Sequence, residues 1–198
     1  MVIYRTFTAL LLLALTSHAN GETQVYTSDF SAGSDSKWSS QDTFELPAGN
    51  DTCLGRFTND AIKLKLTDLP AHTMVRVEFD LMLIRTWDGN KPRIGPDRWS
   101  LQTDDDRVWV NHTFANTGTR EQTEEVTQTY PSTLPGEKSP PTTGATAVNK
   151  IGGLDMSSVY RMRFTFPHRN HAITFRFQGA GLQDVNNECW CLDNVRVT

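Results

Sequence analysis

Past Leu15 the sequence lacks any apolar run long enough to cross a bilayer, which takes about 20 residues. It lacks a sustained helical period with a capped start, so no helix is expected. It has no block of lysine and arginine: 19 basic residues face 23 acidic ones, a net charge of −4. That balance argues against nucleic acid or an anionic membrane as partner. No repeat of about 20 to 50 residues occurs. No Gly-x-Ser-x-Gly elbow is present. None of the histidines (His18, His72, His112, His168 and His171) stands at a metal-ligand spacing. Cysteine is scarce, with only Cys53, Cys189 and Cys191. A zinc site on them would need a fourth ligand, and none lies at knuckle spacing.

The first residues differ from the rest. Met1 to Thr6 carries one positive charge, Arg5. Phe7 to Leu15 is apolar, and Ser17-His18-Ala19 puts small residues where a signal peptidase reads. This is the pattern of a secretory signal, expected over 1–19 with the cut after Ala19. Residues 20–198 then form one domain, and the loss of Arg5 takes the net charge to −5. Export makes a disulfide plausible. In a strand, Cys189 and Cys191 point to one face, so Cys53 bonding one of them is favoured over a bond between neighbours. Which one is left open, and the odd count leaves a thiol over. Two sequons, Asn50-Asp51-Thr52 and Asn111-His112-Thr113, offer Asn50 and Asn111 for glycosylation in a host that performs it.

Strand patterns fill the domain. Ala61 to Leu66 (AIKLKL) alternates, with Lys63 and Lys65 toward water. Met74 to Ile84 puts Val75, Val77, Phe79 and Leu81 on one face. Further strands are expected at Val25–Phe30, Trp99–Gln102, Val108–Val110, Val159–Phe166, Ala172–Phe177 and Leu192–Val197. Two long irregular stretches, Trp87–Asp97 and Asn116–Gly153, interrupt them. Segments of that length inside a domain carry function or are disordered. Short strands, turns and no helices predict an all-β fold, an antiparallel jelly-roll β-sandwich with both termini at one edge.

The ending Glu188-Cys189-Trp190-Cys191-Leu192-Asp193-Asn194-Val195-Arg196-Val197 resembles the closing strand of jelly-roll modules of the carbohydrate-binding, MAM and laminin-G-like kind. Ser28-Asp29-Phe30 with Trp38 resembles their opening strand. The mature chain also resembles a group of secreted bacterial domains of planctomycete type, through Leu54-Gly55-Arg56-Phe57, Trp87-Asp88-Gly89-Asn90 and Gly95-Pro96-Asp97-Arg98-Trp99. The resemblance implies a concanavalin-like or carbohydrate-binding-module-like sandwich, and no assigned activity. Two positions depart from it. Ser31 stands where the binding modules often carry an acidic calcium ligand. Cysteines flank Trp190 where serine and glycine are expected.

The densest set of oxygen ligands is Asp88, Asn90 and Asp97 in the first irregular stretch, with Asp193 able to join if the closing strand runs beside it. Calcium takes such ligands, so a structural calcium ion is expected there. The plain alternative is that these residues shape a turn. Glu78-Phe79-Asp80 resembles part of a glucanase strand, but its third acid is replaced by Met82, so glycan degradation ranks last. Among Trp87, Trp99, Trp109, Trp190 and Tyr130, the two in irregular segments, Trp87 and Tyr130, are expected to be exposed for stacking on sugar. Buried positions suit the rest. The sequence thus predicts a secreted, non-catalytic module for extracellular glycans or surface proteins. The alternative is a structural or adhesive protein without a small ligand.

Overall fold

The computed structural model describes residues 22–49, 51–116, 126–149 and 151–198. The expected signal peptide and the Asn50 sequon lie outside them. Eleven strands occur: β1 Tyr26–Ser28, β2 Thr43–Glu45, β3 Thr52–Phe57, β4 Ala61–Leu66, β5 Met74–Arg85, β6 Arg98–Thr103, β7 Val108–Thr113, β8 Ala147–Val148, β9 Ser157–Pro167, β10 Ile173–Ala180 and β11 Glu188–Val197. No helix occurs among the described residues, and so none that could cross a membrane.

The strands form two antiparallel sheets. One has the order β2-β3-β11-β5-β9-β8, with β1 also paired to β11. The other has the order β4-β10-β6-β7. The expected sandwich is therefore present, and its ends meet: Tyr26 pairs with Val197 and Ser28 with Val195.

Alternation decides which side chains enter the space between the sheets. On β5, Val75, Val77, Phe79 and Leu81 face inward, as their period of two requires. They meet Leu64 and Leu66 of β4, Leu101 of β6, and Phe175 and Phe177 of β10. A chain of rings links the sheets: Phe79 to Trp99 at 5.7 Å, Trp99 to Trp190 at 6.0 Å and Trp38 to Phe177 at 5.6 Å. Lys63 and Lys65 face solvent.

A second, smaller core lies on the other face of the larger sheet. It joins Leu46, Cys53, Met82, Ile84, Cys189 and Cys191, with Ile151 and Leu154 packed on top. This cover explains why the second half of β5 is buried on both faces. Cys53 is bonded to Cys191, and Cys189 is a buried free thiol. Burial pushes that thiol up to about 11. Both cysteines of β11 do share a face, and the register selects the partner: Cys191 pairs with Gly55 of β3, beside Cys53. Gly55 is required there, because its φ of 154° is unfavourable for other residues and a Cβ would collide with Cys191.

The disulfide closes a loop of 138 residues. Replacing both Cys53 and Cys191 by alanine is expected to lower stability by about 3–5 kcal/mol. Cys189→Ala, which only trims the same pocket, is expected to cost roughly 1 kcal/mol. Urea unfolding of the two variants checks the difference.

Candidate metal centre

The irregular stretch after β5 is tied down at every turn. Trp87 is fully buried, and its Nε1 donates to the Cys189 carbonyl at 3.0 Å. Asp88 forms a bridge with Ala115, and Asn90 N donates to the Thr127 carbonyl at 2.8 Å. Gly89 has a φ of 66°, and a Cβ there would strike the Thr127 carbonyl. Asp97 N donates to the Gly89 carbonyl at 2.9 Å, and the Asp97 carbonyl accepts from Phe114 N at 3.0 Å. The loop is thereby folded back so that Asp97 returns to Asp88.

Glu188, the first residue of β11, completes the group. Carboxylate oxygens of Asp88, Asp97 and Glu188 lie within 4.8 Å of one another, and all three residues are buried. Asp97 and Glu188 have no solvent exposure, and Asp88 only 5%. One oxygen of each fully buried acid is used: Asp97 Oδ2 accepts from Asp88 N, and Glu188 Oε2 from Gln183 N at 3.0 Å. The other two, Asp97 Oδ1 and Glu188 Oε1, accept no hydrogen bond from any described residue. Lys91 Nζ stands 3.6 Å from Asp88 Oδ1.

An acid in such a place resists ionisation. Burial, with the Asp97 charge adding, pushes Glu188 up to about 8. Burial, against the bond from Asp88 N–H, pushes Asp97 up to about 7. Burial also raises Asp88, though Lys91 pulls the other way. Ionised together, three carboxylates facing one Lys would leave an excess of negative charge in a dry space; the group relieves it either by holding protons, as the raised values of Glu188 and Asp97 indicate, or by taking a cation in their place. Oxygen-only ligands suit a hard cation such as calcium or magnesium.

Two of the residues expected in this site lie apart from it. Asn90 Oδ1 accepts from Thr113 Oγ1 at 2.6 Å, and its Nδ2 donates to Thr127 Oγ1 at 3.0 Å. The side chain is spent on sewing the loop to β7. Asp193 is five residues along β11 from Glu188, roughly 17 Å at strand rise. It accepts from Asn194 N at 2.6 Å, and burial, with Asp51, Asp80 and Asp29 nearby, pushes it up to about 7. The closing strand does join the site, but through its first residue. The sequence signal for Glu188 was available: a lone acid opening the apolar Glu188-Cys189-Trp190-Cys191-Leu192 run.

The stacking candidates are corrected too. Trp87 is core, held by its bond to Cys189. Tyr130 is half-buried, with its ring 4.8 Å from Phe114 and its hydroxyl donating to Met162 Sδ at 3.6 Å. No aromatic residue is among the exposed large hydrophobics of the described residues. Glu78 and Asp80 are each engaged by an arginine, Arg163 and Arg161. Asn111 is exposed on β7.

No protein-family model and no curated protein matches the chain. Among solved structures, the chain aligns along its full length with 19% of a GH115 4-O-methyl-α-glucuronidase specific for decorated arabinogalactans (TM-score 0.42, 11% identity). It aligns over 88% of its length with 93% of a xylan-binding domain from Paenibacillus barcinonensis (TM-score 0.41, 9% identity). It aligns over 89% with 99% of a cleaved adhesin domain of Lys-gingipain from Porphyromonas gingivalis (TM-score 0.40, 13% identity). Likenesses this distant carry nothing about the site.

Glu188→Gln separates a metal centre from a mere acidic knot. In EDTA at pH 9, above the raised Glu188 value of about 8, the variant is expected to melt about 2–6 °C above the parent, since a buried charge is removed and its amide can donate to Asp97. In millimolar calcium the order is expected to reverse. Calorimetry in both buffers checks this.

Proposed function

We propose that this chain is an extracellular, non-catalytic binding module whose long loop is pinned to the closing strand by a calcium ion. The observation that carries the metal is the convergence of three buried carboxyls, Asp88, Asp97 and Glu188, in which Asp97 Oδ1 accepts from no described donor and Glu188, apart from its bond from Gln183 N, meets only the acid Asp88. A cation there would join the loop to β11, elements about 90 residues apart in sequence. The three carboxylates of the site are buried, with none exposed for substrate. Its role is therefore structural. The disulfide fits an oxidising compartment, in keeping with the signal read at the N-terminus.

Partners of such a module are glycans or surface proteins. With no aromatic residue fully exposed among the described residues, recognition on this reading uses hydrogen bonds and charge more than stacking against sugar faces. A structural or adhesive role without a small ligand is the second reading, favoured by the charged outer faces of both sheets.

Calcium at about 100 times its Kd adds about 2.7 kcal/mol to the native state, or about 5–10 °C in melting temperature for a chain of this size. EDTA should reverse the shift. Equal melting temperatures in EDTA and calcium would rule the ion out. For the partner, immobilised polysaccharides should retain the calcium-loaded protein. Retention on none of a broad panel would leave the adhesive reading.

A further inference from the structure

We infer that the outer face of the four-stranded sheet binds an acidic polysaccharide. This inference rests on the glycan-binding reading above and names its ligand class. None of β4, β10, β6 and β7 contains an aspartate or glutamate. Their outward positions carry Lys63 and Lys65 on β4, Arg176 on β10 and Arg98 on β6. Lys63 is directly opposite Arg176 in the register, and Lys65 lies one outward position along. Like charges facing across a strand pair are destabilising. No described carboxylate forms an ion pair with any of these four residues.

The other sheet of the same molecule handles its arginines differently. On its outer face Arg163 meets Glu78, Arg161 meets Asp80 and Arg76 meets Glu22. A chain with more acids than bases thus pairs three arginines of one outer face with acids, while the four cations of the other have no ion pair among the described residues. Acids stand at the ends of the sheet: Asp60 directly precedes β4, and Asp104 accepts from Thr174 N at 3.1 Å. The cationic face is also pre-positioned: Arg176 Nη1 donates to Gln102 Oε1 at 3.2 Å, and Gln178 lies half-buried beside them.

This composition specifies a ligand. The cations are spaced by the sheet, about 4.8 Å between strands and about 6.8 Å between outward residues. They suit carboxylate or sulfate groups borne at intervals on an extended chain. The amides of Gln102 and Gln178 both donate and accept, as sugar hydroxyls require. Duplex DNA, with one charge per about 1.7 Å, would bring far more negative charge than four cations offset, against a chain of net charge −4.

The test uses the full mature chain, made in a host that leaves Asn111 unmodified, and sensors coated with hyaluronan, chondroitin sulfate, dextran or duplex DNA. Hyaluronan or chondroitin sulfate should bind, and the two separate carboxylate from sulfate recognition. Binding should weaken as salt rises. Lys63→Gln combined with Arg176→Gln should weaken it at least tenfold while melting no lower than the parent. Arg161→Gln, on the opposite sheet, should leave it unchanged. Equal binding by the double variant, or tighter binding of DNA, overturns the inference. Binding of dextran but neither acidic polymer overturns it while sparing the glycan-binding reading. Binding of none of the polysaccharides removes both.

Discussion

Strand β11 has to satisfy its backbone on both sides at once. β5 takes one side over nearly its whole length, while β3 and β1 divide the other. No other strand among the described residues pairs with three partners. Because β11 is paired twice, its side chains are fixed in direction and serve as posts. Trp190 faces the main core, its Nε1 donating to the Thr58 carbonyl at 2.7 Å. Cys191 faces the smaller core and the disulfide. The Cys189 carbonyl receives Trp87, which sets where the loop begins, and Glu188 receives the loop's two acids. The candidate metal centre is in this sense an extension of the pairing of one strand.

Charge is distributed by the same logic. At the head of β11 three buried carboxylates, Asp88, Asp97 and Glu188, converge in a group that could hold a metal ion. On the outer face of the larger sheet, Arg161 and Arg163 of β9 meet Asp80 and Glu78 of the neighbouring β5. The four-stranded sheet follows neither rule, and this departure is what marks its face.

The strands with an apolar face were legible because burial on one side imposes a period of two: β4, β5, β9 and β10 were all readable within a few residues. β3 was not, because Cys53-Leu54-Gly55-Arg56-Phe57 is buried on both faces at its start and broken by a glycine that serves packing against Cys191. The two acids of the loop, Asp88 and Asp97, were visible as a local cluster. Glu188 stood out only as a lone acid at the head of an apolar run; its relation to the other two was not legible, since it exists only through the register of β11 and the anchoring of Trp87. Trp87 was misjudged for the opposite reason: an irregular segment suggests exposure, but the residue that starts a long loop is well placed to anchor it. The cysteine face was readable, while the choice of Cys191 over Cys189 depended on which residue β3 brings alongside.

The pairing of Tyr26 with Val197 has a mechanical meaning. Tension applied through the two ends of the domain falls on one rung of the ladder at a time. The β1–β11 contact therefore opens like a zipper and resists pulling poorly. Peeling of β11 would then run toward Cys191, where the covalent bond to Cys53 stops it before Trp190 or Glu188 is reached. A module built this way yields early under load, giving up the core contacts of Tyr26, Val195 and Val197 first, and keeps its acidic centre, which lies on the far side of that bond, intact.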